Sequence, residues 1–150
     1  MGWRIKTKVG IIIFVILACS GCPQEWHFTI TALDATDTPQ FCVTTRPACS
    51  GRGVHLSFFD VLAVPPPDSV EPYRVVWRIR PLTKDVTLQK FLYGVPPAGW
   101  QQEKPPEPLT TSTFYQVGLY YFRLKKEENG KLGYEVLTLS QFRTLSSAGR

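Results

Sequence analysis

Apolar and polar residues alternate with a period of two along several stretches of the chain, the spacing of half-buried β-strands. Trp26, Phe28, Ile30 and Ala32 fall on one face of a first predicted strand, with His27, Thr29 and Thr31 on the other. Phe41-Cys42-Val43-Thr44 is a short second strand ended by Arg46-Pro47. Past the turn signal Ser50-Gly51-Arg52-Gly53, Val54, Leu56 and Phe58 alternate with His55 and Ser57. Pro65-Pro66-Pro67-Asp68 lacks ladder donors and reads as a connection. The clearest alternation follows it, with Tyr73, Val75, Trp77 and Ile79 on one face and Arg74, Val76, Arg78 and Arg80 on the other. Leu88 to Tyr93 is a further strand.

The stretch from Val95 to Pro108 holds Pro96-Pro97-Ala98-Gly99-Trp100 and Pro105-Pro106-Glu107-Pro108, a composition that predicts an extended, polyproline-like surface loop. Phe114 to Leu124 is a long aromatic strand, apolar on both faces and therefore expected at the centre of a sheet. Gly133 to Leu139 is expected to pair back with it across a turn containing Asn129-Gly130, residues suited to positive φ. No segment past the first 21 residues sustains the spacing of a long amphipathic helix. About seven short strands in one chain predict an all-β, two-sheet sandwich.

The N-terminus follows another pattern. Arg4, Lys6 and Lys8 precede the uncharged run Val9 to Ala18, which gives way to Cys19-Ser20-Gly21-Cys22-Pro23. This is the charged-then-apolar layout of an export signal, and the run is shorter than the roughly 20 residues of a membrane-spanning helix. The small residues ahead of a cysteine resemble a lipobox, which implies a signal peptide over 1–21 and a lipidated mature N-terminus. Cys22 is favoured as the acceptor and Cys19 is the alternative. Cleavage before Cys22 leaves Cys42 and Cys49 as an even pair in an oxidising compartment, and these are expected to form a disulfide. The remaining 22–150 is one domain on a short tether. Loss of the signal leaves 14 basic against 12 acidic residues, so the overall charge of +5 gives little support to nucleic-acid binding.

Leu109-Thr110-Thr111-Ser112-Thr113-Phe114-Tyr115-Gln116-Val117 resembles the signature of immunoglobulin and fibronectin type III domains, in which a Leu stands six residues before a Tyr. The resemblance implies that Tyr115 is a tyrosine corner, Leu109 its packing partner and Trp77 the buried tryptophan of the class. Trp77-Arg78-Ile79, Tyr93-Gly94-Val95-Pro96, Gly99-Trp100 and Pro108-Leu109, with Gly21-Cys22-Pro23 and Phe41-Cys42-Val43, also resemble proteobacterial lipoproteins, some labelled as type VI secretion immunity lipoproteins. That resemblance implies a lipid anchor facing the periplasm, on the outer membrane because neither Ser20 nor Pro23 is the aspartate associated with inner-membrane retention.

The sequence offers no nucleophile elbow, zinc motif, phosphate loop or calcium loop, so the expectation is a non-enzymatic module without metal or cofactor. His27 and His55 read as ordinary solvated or hydrogen-bonded histidines. Two features are candidates for binding another protein, an effector toxin or an envelope component. Trp100 among prolines suits an interface anchor, or folds over its prolines. Arg74, Arg78 and Arg80 on one strand face suit an acidic partner, or an outer sheet face with cross-strand acids. The expected functions are toxin immunity or, alternatively, a structural or accessory role in a cell-envelope complex.

Overall fold

The computed structural model describes residues 25–33 and 36–148. The signal segment 1–21, Cys19 and Cys22 lie outside the described residues. The chain folds as a β-sandwich of two antiparallel sheets. β1 (His27–Leu33), β2 (Thr36–Thr44) and β5 (Lys90–Leu92) form the smaller, in the order β1-β2-β5. The larger contains β3 (Phe59–Val64), β4 (Arg74–Pro81), β6 (Trp100–Lys104), β7 (Phe114–Val117), β8 (Tyr120–Lys126) and β9 (Leu132–Leu137), in the order β6-β4-β3-β7-β8-β9.

The facing sides of the sheets meet in an aromatic core. Phe41 lies at its centre, its ring 5.2 Å from Phe28 and 5.8 Å from both Phe91 and Phe122. Trp77 is fully buried, 5.1 Å from Tyr93, and its indole N–H donates to Gln102 Oε1 at 3.3 Å. Edge-on aromatic pairs of this kind add about 0.5–1.5 kcal/mol each beyond the burial of their area. The Cys42–Cys49 disulfide is formed, with Cα atoms 5.7 Å apart, and it ties β2 to the connection that follows.

The described residues form nine strands where about seven are expected, and the differences have local causes. The predicted Phe114–Leu124 strand is two strands, because Gly118 at φ 55° opens a two-residue turn and Val117 pairs with Tyr120. Tyr115 faces Phe122 across the ladder, so the turn reverses which residues of this stretch point inward. Around Phe58 the phase differs by one: Phe59 is buried in β3 and Phe58 is exposed, while Val54 makes only an isolated bridge to Leu88. The proline-rich excursion contains β6, which pairs with β4. Glu103 is an extra residue in that pairing, since Ile79 stands opposite Gln102 and Arg78 opposite Lys104. The Asn129-Gly130 hairpin joins β8 to β9 as expected, with Gly130 at φ 80°.

A helix, α1 (Leu139–Ala148), was absent from the expected elements. Thr138 caps it: the Gln141 amide donates to Thr138 Oγ1 at 3.3 Å, and the Thr138 amide donates to Gln141 Oε1 at 2.8 Å. This reciprocal arrangement is a capping box. The helix lays Phe142 flat on Tyr121, centroids 4.3 Å apart, and against Phe114 at 5.3 Å. It therefore covers part of the larger sheet's outer face, and β8 is buried on both sides.

Candidate protein-binding surface

The three arginines do not share a face. Val61 stands opposite Trp77 but Leu62 stands opposite Val75, so Val76 is an extra residue that shifts the alternation of β4. Arg78 pairs with Asp60 on the outer face, whereas Arg74 stands opposite Ala63, a core residue, at the rim of the sandwich. Each has an acid partner. Arg78 donates twice to Asp60, at 2.6 Å each, and its guanidinium lies 5.2 Å from the Phe58 ring centroid. Arg80 pairs with Glu103 at 2.8 Å, and Arg74 pairs with Glu107. The stripe expected to attract an acidic partner is thus matched charge for charge.

Trp100 is likewise not an exposed anchor. It opens β6 opposite Pro81, is 5 % exposed, and donates its indole N–H to Thr87 O at 3.3 Å. Gly99, at φ 82°, makes the turn that points the ring inward; a Cβ there would fall 2.9 Å from Val86 Cγ1. The proline stretch does offer a surface, but at its other end.

Where β2 begins and β8 ends, the two sheets part around a hollow of about 450 Å³. Pro39, Tyr93, Pro106, Leu109, Leu132 and Tyr134 are among its lining residues. Its rim is held from below by two tyrosines. The Tyr93 hydroxyl donates to Glu107 O at 2.7 Å, and the Thr110 amide donates to the Tyr115 hydroxyl at 2.8 Å. The Glu107 amide also donates to Val76 O at 3.0 Å, fixing the loop on β4. Gly94, at φ 81°, lets the chain pass under Pro106, whose Cγ would lie 3.0 Å from any Cβ there.

Charge reinforces this arrangement. The Glu107 carboxylate accepts from Arg74 and from Lys104, the latter at 3.0 Å, and the two cations hold its pKa below the usual carboxylate range. Arg74 is raised in turn, first by its hydrogen bond to Glu107. Burial pushes the Tyr93 phenol above its ordinary range, with neighbouring Tyr115 and Glu107 adding to it. On the connections at the same end, Val70 is fully exposed and Tyr73 and Val95 are about half exposed.

Such a site can grip an apolar side chain or peptide segment, with Arg74 and Lys104 at one margin already committed to Glu107. It sets a shape and a few polar contacts, and the sequence signal that could have located it was Pro105-Pro106-Glu107-Pro108 beside Leu109. His27 opens β1 and His55 is exposed in the connection before β3. Among the described residues no three His, Cys, Asp or Glu side chains gather where a metal would sit. Comparison of the chain with protein-family models, with curated proteins and with solved structures finds no match.

Proposed function

We propose that this chain is a lipid-anchored protein of the bacterial cell envelope, an outer-membrane lipoprotein facing the periplasm, whose sandwich binds another protein and catalyses nothing. The partner of choice is an incoming effector toxin, which makes the chain an immunity protein. One observation carries the reading. The hollow rimmed by Pro106 and Pro108 is pre-shaped by hydrogen bonds from Tyr93 and to Tyr115, so little chain entropy is lost when it closes on a partner. Recognition on such sandwiches falls to the loops at their ends.

The finer fold in this proposal is immunoglobulin-like. With β1, β2 and β5 as strands A, B and E, the run β4-β3-β7-β8 has the order C′-C-F-G, and Tyr115 near the start of β7 occupies the tyrosine-corner position on strand F. β6 and β9 extend the larger sheet at its two edges. Trp77 departs from the pattern by lying one strand outward, on β4, while Phe59 fills the core from β3.

The test is competition between cells. Deleting the chain should make cells sensitive to neighbours of the same strain, with full rescue by the wild type and by Ser147→Ala, a substitution at an exposed residue of α1 that does not line the hollow. Pro106→Glu or Leu132→Glu, each confirmed as folded, should fail to rescue. Equal rescue by all four proteins would remove the hollow from the function. Sensitivity that is independent of neighbours would favour a structural role in the envelope.

A further inference from the structure

The end of the sandwich opposite the hollow carries a different surface, and the described residues begin there. Trp26 is clamped to the β7–β8 turn: a Cβ at Gly118 would fall 2.6 Å from Trp26 Cζ2, and the Tyr120 hydroxyl donates to Trp26 O at 3.1 Å. At this end three large apolar side chains stand in solvent, Leu119 at 87 %, Leu82 at 60 % and Phe58 at 52 % exposed. Two hollows, of about 380 and 560 Å³, share Leu56, Ser57 and Phe58, and Leu119 follows Gly118, which lines the first. The first reaches Trp26 and Gly118, and the second reaches Leu82 and Lys84.

Charge at this end is basic. Arg46, Arg52, Lys84 and Lys90 are exposed and join no ion pair among the described residues, whereas the acids here are Asp85, Glu25 and Asp60, the last already paired with Arg78. Exposed apolar residues within a ring of cations match an interface of acyl chains and anionic headgroups.

We propose that this end docks on the membrane: Leu119, Leu82 and Phe58 dip into the headgroup layer while Arg46, Arg52 and Lys84 meet anionic lipid phosphates. The proposal rests on the lipoprotein reading, which supplies the distance. Cys22 precedes Trp26 by four residues. A segment of that length spans at most about 14 Å. An acylated Cys22 at the bilayer surface therefore cannot hold the Trp26 end far from the headgroups, and a leash this short favours one orientation. The hollow then faces away from the membrane, toward the periplasmic space.

The experiment uses the full chain, processed in cells and reconstituted into vesicles of phosphatidylcholine and phosphatidylglycerol. A nitroxide is attached at Leu119→Cys or, separately, at Val70→Cys, both exposed positions whose replacement leaves the core intact. The expected result is loss of collision with a water-soluble nickel chelate at position 119 and full collision at position 70. Mass analysis of the N-terminal peptide is run on the same samples. Full collision at both positions on an acylated, vesicle-bound chain overturns the docking and leaves the lipoprotein reading standing. An unacylated peptide with no vesicle binding ends both. Shielding of position 119 that persists in detergent with a doubled particle mass overturns the lipid assignment and gives the face to a second copy.

Discussion

The hydroxyl of Tyr115 accepts the backbone amide of Thr110 at 2.8 Å, joining the end of the proline-rich loop to the strand that follows it. Tyr115 is 2 % exposed, so its hydroxyl is desolvated in the fold and the Thr110 amide is its hydrogen-bond partner there. Tyr115→Phe should therefore cost about 1–2 kcal/mol, read as a lower urea midpoint with an unchanged slope. An unaltered midpoint would mean that the bond contributes nothing to holding the loop.

Trp100→Ala should destabilise the whole domain. Removing a buried indole and leaving its cavity costs about 3–5 kcal/mol, enough to lower Tm by roughly 10 °C or more. A variant that keeps its Tm and loses only partner capture would return Trp100 to the surface role its proline neighbours suggest.

Glu107 gives the stability a signature in acid. Its pKa is lowered in the folded state by Arg74 first and by Lys104, so the contribution is present above the ordinary carboxylate range and lost as pH falls through the lowered pKa. Wild type and Glu107→Gln should differ in urea midpoint at neutral pH and converge in acid. Parallel curves across the whole range would show that the carboxylate is not coupled to folding.

Reduction of Cys42–Cys49 should lower stability by about 2.5 kcal/mol, the chain-entropy value for so short a loop. Within the loop Ala48 and Cys49 both have φ 56°, a region that costs L-residues energy. Ala48→Gly should recover up to about 1 kcal/mol, visible as a higher melting temperature in the oxidised protein. A loss on that substitution would show that the unfolded state gains more freedom than the loop gains relief.

The features legible in the sequence were those set by neighbours along the chain. Alternation placed most strands, Asn129-Gly130 marked the hairpin between β8 and β9, and Cys42 and Cys49 were close enough to be joined. The capping box of α1 is equally local, Thr138 with Gln141, but the helix beyond it is too short to show a sustained apolar period. The Arg face failed for another reason. Val76 is extra only with respect to Leu62 and Val61 on β3, so nothing in the order Arg74-Val75-Val76-Trp77 announces the shift. Trp100 failed similarly, since its burial depends on Pro81 and Thr87, which no local pattern connects to it. Gly118 inside an aromatic run was a visible warning that the long strand would fold back on itself.

The extra residue in β6 bears on coexistence with other copies. β6 is one of the two outer strands of the larger sheet, and an outer strand with free backbone groups recruits strands from neighbouring molecules. Here the strand is five residues long, kinked at Glu103, charged at Glu103 and Lys104, and followed by Pro105-Pro106. An approaching strand finds no straight run to zip onto. Under the proposed lipid anchorage, molecules crowded together on a membrane surface can therefore collide along this edge at high density without knitting into a shared sheet.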